Sequence, residues 1–61
     1  MMHYWLNVDK GDSAAVIAED ADIFAAKEAL QNFRSQSTDP VLIIDLFGNV
    51  YTEDKFHTLE A

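Results

Sequence analysis

Along residues 3–8 the chain alternates Tyr4, Leu6 and Val8 against His3, Trp5 and Asn7, and this two-residue period in aromatic and branched side chains predicts a first strand. Asp9-Lys10-Gly11-Asp12 has the composition of a turn. Residues 13–18, with Val16 and Ile17 at their centre, then fit a second strand returning as a hairpin. From 21 to 36 the period changes. Ile23, Ala26, Leu30 and Phe33, with Ala29 at the margin, fall on one stripe at three- and four-residue spacing, while Glu28, Asn32 and Ser35 face away. A helix is predicted there, with Asp20 as its N-cap and Asp22 at the positive end of its dipole. Phe24 falls off the stripe and either packs against the start of the helix, the favoured arrangement, or stands exposed.

Residues 35–40 are polar, and Pro40 disfavours helical backbone at the residue before it, so the helix ends ahead of it. Residues 41–46, nearly all branched and apolar, read as a strand that is central or covered on both sides. Phe47-Gly48-Asn49-Val50 is predicted as a hairpin turn in which Gly and Asn supply positive φ, and 50–53 returns as a fourth strand. A two-residue loop sets Tyr51 beside Leu46 and a three-residue loop sets it beside Asp45; the pattern leaves both registers open. Residues 54–61 read as a polar tail with a short extra strand through Phe56. The order strand, strand, helix, strand, strand predicts a single α+β domain, a four-stranded, mainly antiparallel sheet with one helix on one face. Tyr4, Leu6 and Val8 form the more apolar set and should meet the helix, which turns Trp5 to the open face. There Trp5 either closes the edge of a thin core or anchors a partner.

Composition narrows the function more than it names it. Sixty-one residues make one domain that buries only about 60% of its unfolded surface, and with no cysteine there is no disulfide to staple it. The 49% hydrophobic content is enough for an ordinary core. The longest apolar runs, 14–18 and 41–44, are far short of the roughly 18 residues of a membrane span. The first residues carry neither a basic leader nor a long apolar stretch, so no secretory signal is expected, and a cysteine-free chain suits the cytoplasm. Eleven Asp and Glu against four Lys and Arg leave a net charge of -7, which argues against direct binding of nucleic acid or of an anionic membrane.

Chemistry is sparse. His3 and His57 have no metal-ligand spacing, no serine lies in a nucleophile elbow, and Gly11 and Gly48 make no phosphate loop. No enzyme activity, metal or cofactor is therefore expected. The carboxylates gather in two stretches, Asp9 to Asp22 against Lys10 alone and Asp39 to Glu60 against Lys55 alone. The expected partner-binding residues are Trp5, Asp9, Asp12, Glu19, Asp20, Asp22, Asp45, Tyr51, Glu53 and Asp54. A duplex spanning a body of this size, about 27 Å, carries about 16 charges, so mimicry of DNA requires the acids to segregate onto one face. In size, absence of cysteine, negative charge and element order, the whole chain resembles the small acidic phage-encoded inhibitors of the anti-CRISPR type. That resemblance implies a stoichiometric, non-catalytic inhibitor that occupies a basic surface of a larger protein, such as a CRISPR effector subunit, and it supplies no functional residues. The alternative is an accessory module that homodimerises through the open sheet face around Trp5 and Ile43.

Overall fold

The structure, a computed structural model, describes residues 2–9 and 15–59. Strand β1, Tyr4–Val8, alternates buried and half-buried positions as its sequence period requires. The other elements are β2, Ala15–Ala21, helix α1, Ile23–Arg34, β3, Val41–Asp45, β4, Val50–Tyr51, and a second helix α2, Glu53–His57. The sheet is antiparallel throughout in the order β2-β1-β3-β4, which makes the fold α+β as expected. An unbroken register from Tyr4↔Asp45 to Val8↔Val41 joins the two central strands and puts Tyr4, Leu6, Val8, Val41, Ile43 and Asp45 on one face. Ala26 and Leu30 of α1 and Phe56 of α2 close the core over that face, and Phe56 meets the edge of the Tyr4 ring at 5.2 Å between centroids.

Several boundaries differ from the predicted ones, each for a local reason. The turn expected at 9–12 and the first residues of the second strand fall largely outside the described residues. Beyond them, β2 runs on to Ala21 rather than ending at 18, because two irregularities in its pairing with β1 break the two-residue period and let it absorb polar residues. Asp20 therefore lies within the strand, with φ at 51°, and is not the helix cap. The cap is Asp22, whose extended backbone lets its carboxylate accept from the Ala25 N–H at 2.8 Å. At the other end α1 stops at Arg34 rather than 36, where the backbone N–H groups of Gln36 and Ser37 both turn back to the Phe33 carbonyl at 3.0 Å. Phe24 is 72% exposed, so the favoured packing against the helix start does not occur.

The second hairpin adopts neither expected register. Ile44 faces Val50 and Ile43 faces Tyr51, while Asp45 N donates to the Asn49 carbonyl and Gly48 N to the Asp45 carbonyl, both at 3.0 Å. The turn thus holds Leu46, Phe47 and Gly48, which ends β3 at Asp45 rather than at 46. In that turn Gly48 has φ at 86°, and Asn49 does not adopt positive φ. The fourth strand is two residues long, and the predicted tail with its extra strand is instead α2. Thr52 has the extended backbone of an N-cap and accepts from Lys55 N at 3.2 Å, and Glu53 and Asp54 follow at the positive end of the dipole. Tyr51 and Phe56 take the flanking positions of a hydrophobic staple, and both rings meet Tyr4.

A candidate interaction surface

Both helices lie on the Tyr4 face, and among the described residues no element forms a layer over the other face of the sheet. The register places Trp5 beside Ile44 and Ile44 beside Val50, one row across three strands, with Leu42 beside Asn7 and Asn7 beside Val16 in the next. Trp5 and Ile44 are half-buried, and Val16, Leu42 and Val50 are exposed. Ile43 points the other way, into the core, so a self-association surface around Trp5 and Ile43 is not what the sheet offers; Ile44 is the neighbour of Trp5. The turn after β3, next to the Ile44–Val50 pair, exposes Leu46 and, at 77%, Phe47.

Charge is distributed unevenly around this strip. Opposite Trp5, where β1 has one residue between its paired neighbours, β2 has two, Glu19 and Asp20. Both are exposed, and the Asp20 carboxylate pairs with His3 Nδ1. Asp9 is exposed just beyond the end of β1. All Lys and Arg among the described residues lie instead on the helices, Lys27 and Arg34 on α1 and Lys55 on α2. Arg34 donates to the Ser37 and Asp39 carbonyls at 2.8 and 2.9 Å and to Glu53. Lys27 donates to the Leu59 carbonyl, and Lys55 lies 5.9 Å from the centre of the Tyr51 ring. A groove of about 470 Å³ runs between the helices, but its cations already hold Glu53 and the Leu59 carbonyl, which makes it a seam between elements.

Two of the expected partner-binding residues act inside the fold. Asp45 is 3% exposed and accepts from Tyr51 Oη at 2.7 Å, Phe47 N at 2.8 Å, Asn49 N at 2.9 Å and Asn49 Nδ2 at 3.0 Å. Burial by itself raises the pKa of this carboxyl, but the bonds from Tyr51, Asn49 and Phe47 outweigh it and hold the group at about 2. Tyr51 is pushed up to about 12, first by its bond to Asp45 and then by burial and the adjacent negative charge. Neither group is placed to meet a partner directly. Asp22 caps α1 and Glu53 pairs with Arg34. Asp54 stands exposed at the start of α2, and Asp12 falls outside the described residues. The sheet therefore gathers Trp5, Glu19 and Asp20 on one side of β1, with Asp9 at its end.

Leu46, Phe47 and Val50 are not among the expected partner-binding residues. Their signal is two large apolar side chains in a hairpin turn, where polar residues are usual. Among the described residues no group of three or more His, Cys, Asp or Glu is placed to hold a metal, and no helix is long and apolar enough to cross a membrane. The chain matches no protein-family model, no curated protein and no solved structure.

Proposed function

We propose that the chain is a small, non-catalytic binding protein that docks its uncovered sheet face, centred on Trp5, onto a larger protein presenting an apolar patch bordered by Lys and Arg. The observation that carries this reading is the separation of charge. An apolar strip is flanked by Glu19, Asp20 and Asp9, while every described Lys and Arg lies on the helices of the other layer. A standard interface takes about 800 Å² from each partner, about a fifth of the 4174 Å² this chain exposes. The strand edges are poor docking sites, since β2 is twice irregular and β4 has only two residues. A second copy of the chain would bring Glu19 and Asp20 against carboxylates of its own kind, which favours a basic partner over a homodimer.

In its finer form the partner surface is one that takes nucleic acid, and the chain is a phage-type inhibitor that competes for it, a CRISPR effector subunit being the kind of target implied by the resemblance. The net charge of -7 supports that form. Proteins captured on the immobilised chain, and CRISPR effector complexes supplied directly, test both levels. Affinity should weaken at least about tenfold between about 0.05 and 0.5 M NaCl, fall with Trp5→Ala and with the pair Glu19→Lys and Asp20→Lys, and nucleic acid should be displaced at equimolar chain. Binding that ignores salt and Trp5→Ala removes the docking reading. Salt-sensitive binding without displacement removes only the inhibitor. Sedimentation at micromolar concentration should give a monomer; a dimer that Trp5→Ala dissociates would move the reading to the accessory module.

A further inference from the structure

The turn between β3 and β4 exposes apolar side chains on a backbone that is unusually well fixed. Beneath Phe47, the buried Asp45 carboxylate takes four hydrogen bonds, two of them from the backbone N–H groups of Phe47 and Asn49. Gly48 completes the loop at φ 86°, with open space where a Cβ would stand. A side chain held on an ordered backbone has little freedom left to lose on binding beyond its own rotamers. Large aromatic side chains that enter a pocket at the centre of an interface carry a disproportionate share of its energy. Val50 and Ile44 connect the base of the turn to Trp5 along one row of the sheet, and Phe47 stands exposed in that turn. The Asp45 carboxylate, ionised down to about pH 2, accepts from Phe47 N at 2.8 Å and so fixes the backbone that carries the ring. Phe24 is exposed to a similar degree but stands on α1, the helix that carries Lys27 and Arg34.

We propose that Phe47 is the anchor of the interaction surface, inserting into a concave apolar pocket of the partner protein whose rim carries Lys or Arg. This rests on the reading of the uncovered sheet face as the docking surface. A chemical mimic of such a pocket is heptakis(6-amino)-β-cyclodextrin, an apolar cavity ringed by ammonium groups, compared by NMR titration with neutral β-cyclodextrin. The ring of Phe47 should shift and that of Phe24 should not, with the cationic host bound about fivefold more tightly at low salt and that advantage lost at about 0.5 M NaCl. Equal shifts at both rings, or none at Phe47, overturn the proposal. With the partner itself, Phe47→Ala should weaken binding at least about tenfold without lowering Tm, and Phe24→Ala should leave binding unchanged. Phe47→Ala binding as well as the parent chain overturns the anchor and leaves the docking reading standing. If the parent chain has no salt-sensitive partner, the docking reading falls and the anchor with it.

Discussion

Asp45 shows how much one side chain's surroundings decide. Its four donors favour the ionised form, so its folded-state pKa lies near 2 against an ordinary value of 3.8. A carboxyl depressed in this way contributes stability that is fully present above its unfolded pKa and is lost as pH falls through the folded one. The sign is opposite for Tyr51, raised from 10.0 to about 12: its contribution is present below pH 10 and is lost as pH rises through 12. Asp45→Asn should therefore flatten the fall in Tm between about pH 4 and pH 2. It should also return the late tyrosine in an ultraviolet titration toward 10.0. Tyr51→Phe should move the acid limb in the same direction by less, since three of the four donors remain. An acid limb unchanged in Asp45→Asn would show that the carboxylate is not held as described.

At the scale of elements, α2 decides whether the core closes. Phe56 has no exposed surface, and truncation of a buried aromatic costs about 3–5 kcal/mol. A domain of this length holds about 3–9 kcal/mol in total, so Phe56→Ala should leave much of the population unfolded at 37 °C by circular dichroism. Thr52→Ala, which removes only the cap, should cost about 1 kcal/mol, or about 4–8 °C in Tm; no change in either variant would mean that α2 is dispensable.

The helix α1 and strand β1 were legible in the chain because their periods run uninterrupted over five or more residues, and β3 because its run is nearly all branched and apolar. α2 was not, since five residues make little more than one turn and cannot display a helical period. Its Thr52-Glu53-Asp54 start reads equally well as the polar end of a strand. The far end of β2 was obscured for a related reason, as Ile17, Glu19 and Asp20 fall where its pairing is irregular. The side of the sheet on which Trp5 lies could be read from its neighbours. The burial of Asp45 could not, because it depends on a turn register fixed by the carboxylate's own hydrogen bonds.

Over the whole molecule, the charges of the two layers are differently balanced. Lys27 and Arg34 on α1 hold a carbonyl and a carboxylate and Lys55 on α2 lies over the Tyr51 ring, whereas Glu19 and Asp9 stand exposed on the sheet side. Like charges that are exposed and uncompensated repel, and salt screens them over about 10 Å at 0.1 M. Tm should accordingly rise by a few degrees between about 0.01 and 0.15 M NaCl. Glu19→Lys should reproduce part of that gain at low salt, and Glu53→Lys should lower Tm by breaking the pair with Arg34. Equal effects at the two sites would contradict the imbalance.

The position of Phe56 in the chain also has a consequence in time. Its partners in the core begin at Tyr4, so the side chain that seals the sheet is joined to the growing polypeptide some fifty positions after the first strand it covers. A nascent chain that has reached Tyr51 possesses all four strand segments and α1, yet lacks the ring that packs on Tyr4. Contacts so distant in sequence cannot form as the strands emerge. Closure of the core must wait until residue 56 clears the ribosome, and until then α1 alone covers the sheet and the Tyr4 ring lacks its Phe56 neighbour.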